Sequence, residues 1–292
     1  MAASFLIFGL GYTARALAPV LEQQGFSIIG TTRNLEKPAA AHLETVTLID
    51  FFDPDIEQHI NQASHILVTI PPAAEIGDIV LHHYADLIKR RSTHIQWLGY
   101  LSSTGVYGDH QGKWVNENSP CFPESATALA RMEAEQRWLS FADKWHLPLH
   151  IFRLAGIYGP GRNALERLVS GKQDSIYKQG HVFSRIHVDD IVSVLLASMT
   201  HIHPLSIYNI ADDEPAPSHV IDAYAAALLH REPLPLINFE EAALSPRLKE
   251  FYSDNRRISN QKIKEELKIK LKYPTFREGL KSIKVENRPG LR

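Results

Sequence analysis

Residues 4–25 read SFLIFGLGYTARALAPVLEQQG, and the fold turns on this stretch. Its first part is a short continuous apolar run, which suits a buried strand. From Tyr12 onward the apolar residues recur at helical spacing until Gly25 stops them. Between strand and helix lies Gly9-x-Gly11-x-x-Ala14, with Tyr12 and Thr13 filling the last gap. A glycine at position 9 permits a tight turn, and one at 11 lets backbone N–H groups approach a pyrophosphate. A small residue at 14 lets the helix pack closely on the strand. The order strand, glycine turn, helix is the context in which such a motif binds a dinucleotide; a plain tight turn is the other reading.

Working outward, FSIIGT, TVTLI, HILVTI, IQWLGYL and LPLHIFRL repeat the continuous apolar pattern. Helical patterns are expected at about 54–61, 75–91 and 124–146, with Ile76, Val80, Tyr84 and Leu87 on one face of the second. Apolar strands alternating with helices predict an α/β doubly wound parallel sheet of Rossmann type, covered on both faces, with ligands at the carboxyl ends of its strands. The rhythm loosens after about residue 155. HVDDIVSVLLASM predicts a helix with Asp189 or Asp190 as N-cap, and LSIYNIA a further strand. The expected division is a dinucleotide-binding core over 1–157, rejoined by 184–211, and a smaller C-terminal substrate lobe from 158–183 and 212–292.

Composition narrows the class. The 292 residues are 44% hydrophobic and 22% charged with a net charge of −2, which suits a soluble globular protein and gives no electrostatic reason for nucleic acid or anionic membrane as partner. The single cysteine, Cys121, excludes an internal disulfide and fits a cytoplasmic location. No apolar run reaches the roughly 18 residues of a membrane span, and MAASFLIFGLG lacks the basic start of a signal peptide. The 15 histidines have poor spacing for metal, so no metal site is expected and most histidines are surface or packing residues.

Two strand ends carry chemistry. The second strand closes on Thr31-Thr32-Arg33, where sites that prefer NAD place an acidic residue to hold the ribose 2′-OH. A guanidinium there suits the 2′-phosphate of NADP; a solvated surface arginine is the alternative, and NAD stays open. Asp50, ending the third strand, either accepts from the adenine amine or caps the next helix. The fifth strand ends in LSSTGVYG, where Ser102, Ser103 and Thr104 set three hydroxyls in a row that a core strand has no use for.

GLGYTA, LSSTGVYG, FRLAGIYGPGR, RIHVDDIV, YNIADDEP and YPTFREGL, in this order, resemble the extended short-chain dehydrogenase/reductases, the NAD-dependent epimerase/dehydratase family, and within it an atypical subgroup. The resemblance covers nearly the whole chain. It implies an NAD(P)-binding oxidoreductase or epimerase acting on a small or sugar-nucleotide substrate, as a monomer or homodimer. Ser103 then bonds the reacting oxygen, Ser102 lies on the cofactor side, and Tyr158 and Arg162 of the YGPGR loop face substrate. Family members use a tyrosine, with a lysine four residues on, to move the proton that accompanies hydride transfer. Counted back from Glu135, the helix TALARMEAE places Thr127 and Arg131 there. Threonine is far too weak an acid for the task. Arginine can bond ribose hydroxyls but cannot be deprotonated. Without the family, the two are exposed helix positions, with Arg131–Glu135 an i,i+4 ion pair. Two readings follow: an enzyme with unusual proton transfer at Ser103, or a non-catalytic NADP-binding redox sensor or regulatory protein. Tyr107 is expected to pack, and His187 to be structural. Arg153, Arg162 and the Arg256-Arg257 pair are candidate anchors for an anionic substrate such as a sugar nucleotide; solvated arginine is the other reading, and the favoured one for Arg256-Arg257.

Overall fold

Strands form where the apolar runs predict them. In the computed structural model, which describes residues 3–35, 46–73 and 75–283, these are β1 (Ser4–Phe8), β2 (Ser27–Thr32), β3 (Val46–Asp50), β4 (Ala63–Val68), β5 (Trp97–Ser103), β6 (Leu149–Leu154) and β7 (Ser206–Ile210). They make one parallel sheet in the order β7-β6-β5-β4-β1-β2-β3. The chain steps outward from β1 to β3, then returns to lay β4 on the other side of β1. The order therefore reverses between β1 and β4, where doubly wound sheets hold their ligands. The chain divides into two compact units. The first is 1–106, 124–153 and 192–208; the second is 107–123, 154–191 and 209–292.

In the first unit, alternate strand residues point to opposite faces. Leu6, Phe8, Ile66, Val68, Leu98 and Tyr100 pack with Tyr84 and Ile88 of α3 (Ile79–Arg90) and Trp138 of α4 (Ala126–Trp145). Val80, Tyr84 and Ile88 form the buried stripe of α3, whereas Ile76 precedes the helix and is exposed. Asp78 starts that helix, its carboxylate accepting from Leu81 N at 2.9 Å. The other face carries a row of rings across β1, β4, β5, β6 and β7: Phe5 stacks on His65, Trp97 on His150, and His150 on Tyr208. His65 and His150 are packing residues of the sheet, buried at 7% and 0% exposure.

The second unit is built from short pairs of parallel strands: Gly156–Tyr158 with Arg185–His187, Ser175–Tyr177 with Leu236–Asn238, and Trp114–Val115 with Arg257–Ile258. Its core gathers Tyr158, Leu165, Leu168, Ile221, Phe276 and Leu280. Asn255 ties its loops together: its carbonyl accepts from His110 N and Gly112 N, its side chain bonds Val182 N and Gly180 O, and its own N–H donates to Asp109. Asp190 does not cap the helix Val188–Thr200. Its carboxylate instead accepts from Lys272 N at 2.6 Å and Tyr273 N at 3.1 Å, while Asp189 pairs with Lys272 Nζ.

Burial pushes His65 down from its ordinary value to about 4. The folded chain keeps this ring neutral while the unfolded chain protonates it near the ordinary histidine value of 6.5, so stability falls as pH drops through the window between the two and the loss levels off below the lower value. The denaturation midpoint is expected to fall from pH 7 to pH 4.5. His65→Phe, which keeps the ring stack, should flatten part of that slope. An unchanged slope in the variant would remove His65 as a source of acid sensitivity.

Candidate functional site

The turn after β1 is held from three directions. Gly9 has φ +96°, and a β-carbon there would meet Ile70 Cγ1 and Thr69 Oγ1 at 2.7 Å each, so only glycine fits. Its N–H donates to Thr31 Oγ1 at 3.0 Å. Its carbonyl accepts from the Thr69 hydroxyl at 2.5 Å and from Gly11 N at 2.8 Å. Thr31, fully buried, comes from β2, and Thr69 follows β4. Sequence reasoning missed Thr69; the available signal was a hydroxyl ending the apolar run HILV.

Gly11 then begins α1 (Tyr12–Gln23) with extended backbone, and a β-carbon on it would meet nothing within 4 Å. The N-cap offers no side chain to the helix, and the first turn holds no acidic residue. Thr13 and Ala14 are buried beneath this end, at 6% and 0% exposure. An uncapped helix start with open space in front, at the switch point of the sheet, is suited to a phosphate group. Arg33 is exposed beyond β2 in a turn set by Thr32 Oγ1, which accepts from Asn34 N at 3.3 Å. Asp50, opposite Thr32 in the register, accepts from Phe52 N at 2.8 Å; it makes a local turn and does not cap α2 (Ile56–Gln62), whose N-cap is Asp55.

At the end of β5, Ser103 Oγ accepts from Gly105 N at 3.1 Å. That bond fixes the hydroxyl oxygen and leaves its hydrogen to donate elsewhere. Ser102 is buried at 4% exposure, its hydroxyl without a partner among the described residues. Arg131, on α4, donates from Nη1 to Leu101 O at 2.9 Å. Its charge also faces the buried Asp78 carboxyl and the Tyr100 phenol, both pushed up chiefly by burial. Thr127 is exposed in the first turn of α4, 3.1 Å from the N-cap hydroxyl of Ser125. The i,i+4 pair Arg131–Glu135 does not form. Glu135, 2% exposed, is taken by Arg153, 5% exposed, through Nε and Nη2, the latter at 2.8 Å. Arg153 is thus a buried structural cation of the first unit.

Other readings from sequence are placed in the second unit. Tyr107 is fully buried and donates to Asn209 Oδ1 at 2.8 Å. Tyr158 is 7% exposed and donates to Thr275 O at 3.4 Å; burial holds its phenol well above the ordinary range, so it gives up no proton near neutrality. His187 is buried at a strand end, its Nδ1 accepting from Asp189 N. Arg162 is exposed in the turn closed by Gly159 and Arg162. Arg256 and Arg257 are loop ties, donating to Gly108 O and Gly112 O. Among the described residues no cluster of His, Cys, Asp or Glu could hold a metal, and no helix is long and apolar enough to cross a membrane.

Residues 5–211 match the model of the NAD dependent epimerase/dehydratase family, and the chain belongs to that family. A solved structure of a functionally unknown conserved protein from Silicibacter pomeroyi is 44% identical, with 96% of this chain and 97% of that one covered and a TM-score of 0.90. The dTDP-glucose 4,6-dehydratase of Bacillus anthracis, in complex with NAD, is 19% identical over 96% of this chain and 94% of its own, with a TM-score of 0.77. The UDP-glucose 4-epimerase of Thermotoga maritima, with UDP-glucose, is 17% identical over 95% and 96%, with a TM-score of 0.75. These last two likenesses are of fold. No curated protein matches the chain.

A buried charge left without its partner costs about 3–5 kcal/mol, whereas an apolar pair of similar volume is often neutral. Arg153→Met alone is expected to destabilise the chain by about that amount in urea titration, and adding Glu135→Leu to recover most of it. Equal stability of the single variant and the unmodified chain would mean that the pair is solvated.

Proposed function

We propose that the first unit binds NADP(H) and that the chain is an epimerase/dehydratase-like oxidoreductase acting on a small or sugar-nucleotide substrate. The observation that carries this reading is the uncapped start of α1 in front of open space, beside a Gly9 peptide gripped by Thr31 and Thr69. In it, the backbone at Gly11, Tyr12 and Thr13 holds the pyrophosphate, Ala14 lets helix and strand approach, and Arg33 takes the 2′-phosphate. Asp50 lies on the adenine side and Ser102 on the nicotinamide side. The nicotinamide, when bound, supplies or accepts hydride.

The chain's own part is the proton. Ser103, its oxygen fixed by Gly105 N, directs its hydrogen to the substrate oxygen. Thr127 and Arg131 stand where the family's phenol and lysine would be. Arg131 holds a permanent charge near the strand end, and a water or substrate group moves the proton. Arg162 and Tyr158 are the side chains assigned to the substrate, Arg162 to an anionic part of it.

The placement of Arg131 also favours a second reading, a non-catalytic NADP-binding sensor or regulatory protein. Its Nη1 is spent on Leu101 O, and Thr127 shares its hydroxyl with Ser125. Both readings need the cofactor. They differ in whether a substrate oxygen meets Ser103.

Fluorescence titration should show NADPH binding more tightly than NADH, and Arg33→Asp should reverse the order. Gly11→Val is expected to abolish binding of both while keeping the melting temperature, since its side chain enters open space. Retained binding in the folded variant would sink the nucleotide loop. A positioned proton donor is worth about 10²–10⁴-fold, so Thr127→Tyr with Arg131→Lys should raise the rate on an alcohol substrate measurably, with an alkaline titration that the unmodified chain lacks. Activity that is fast beforehand and indifferent to Ser103→Ala would place the chemistry elsewhere.

A further inference from the structure

We infer that Arg15 is a second cofactor-selecting arginine, which with Arg33 forms a two-guanidinium cradle for the 2′-phosphate of NADP. The inference rests on the nucleotide reading above and adds a residue to it. Arg15 lies in the first turn of α1, exposed, where a cation opposes the helix dipole. A positive charge set against that field, with no acidic residue in the turn to balance it, suits a place meant for an anion.

A chain of contacts fixes where the guanidinium sits. Its Nε donates to Leu10 O at 3.1 Å. Leu10 N in turn donates to Thr31 O at 2.9 Å, and Gly30 leaves room for the Leu10 side chain, since a β-carbon there would meet Leu10 Cδ1 at 3.0 Å. Arg15 is therefore tied through Leu10 to the end of β2, two residues before Arg33. The Thr32–Asn34 turn sets Arg33 at its apex. The bond through Nε leaves both terminal nitrogens of Arg15 as donors, and no ion pair among the described residues includes Arg15 or Arg33. The nearest acidic group in the register is Asp50, opposite Thr32. One exposed guanidinium makes a solvent-weakened contact with a phosphate. Two together strengthen it and offer the fork geometry that a phosphate dianion accepts.

The test is calorimetric titration of the full chain with 2′,5′-ADP and 5′-AMP, which differ in the 2′-phosphate alone. A charge-assisted bond lost from the complex corresponds to about tenfold or more, so Arg15→Gln should weaken 2′,5′-ADP by that factor and shift 5′-AMP by less than about twofold. Arg15→Lys should recover part of the loss, and the melting temperature guards against unfolding. Equal weakening of both ligands would make Arg15 a brace of the turn, and no effect on either would make it idle surface; each overturns the inference. If Arg33→Gln removes the preference while Arg15→Gln does not, the nucleotide reading stands and this inference fails. If the unmodified chain binds neither ligand, both fall together.

Discussion

The Gly9 peptide is gripped on both sides, its N–H by Thr31 and its carbonyl by Thr69. Thr31 lies in β2 and Thr69 just after β4, the two strands that flank β1, so the grip spans the point where strand order reverses. With the N–H and carbonyl of Gly9 bonded, the turn delivers Gly11 to the start of α1 with space in front. Such preorganisation removes an ordering cost that a loose loop would meet on binding. In the proposed reading, the helix dipole and the open space in front of it serve the phosphates of the nucleotide.

The end of β5 shows a different balance. Ser103 accepts from Gly105 N and keeps its own hydrogen to donate, while Arg131 on α4 is bonded within the structure. Arg131 is bonded to the strand carbonyl, and one turn on, Glu135 and Arg153 form a closed, buried bidentate pair. A lysine could deprotonate under burial and a tyrosine could titrate; arginine does neither. The charge at this end of the sheet is therefore permanent.

Much of the fold was legible in the sequence because its signals are local. The apolar runs of β1, β4, β5 and β6 and the helical spacing of α1 need only neighbouring residues to be read. The family follows from the order of short motifs along one chain. The partners of the charged residues were not legible in that way. Arg153 meets Glu135 and Arg131 meets Leu101 across separations of 18 and 30 residues, and Asp190 reaches Lys272 across 82. Periodicity suggested an i,i+4 pair for Arg131 and a helix cap for Asp190; tertiary partners of better geometry took both. Thr69 escaped notice for the same reason, since its contact with Gly9 spans 60 residues.

The clamped turn and the first turn of α1 are the proposed nucleotide site, and amide hydrogen exchange with and without saturating NADPH tests that assignment. Slowed exchange is expected at residues 9–15 and at 31–34. Protection confined to other segments, with those amides unchanged at saturation, would contradict it.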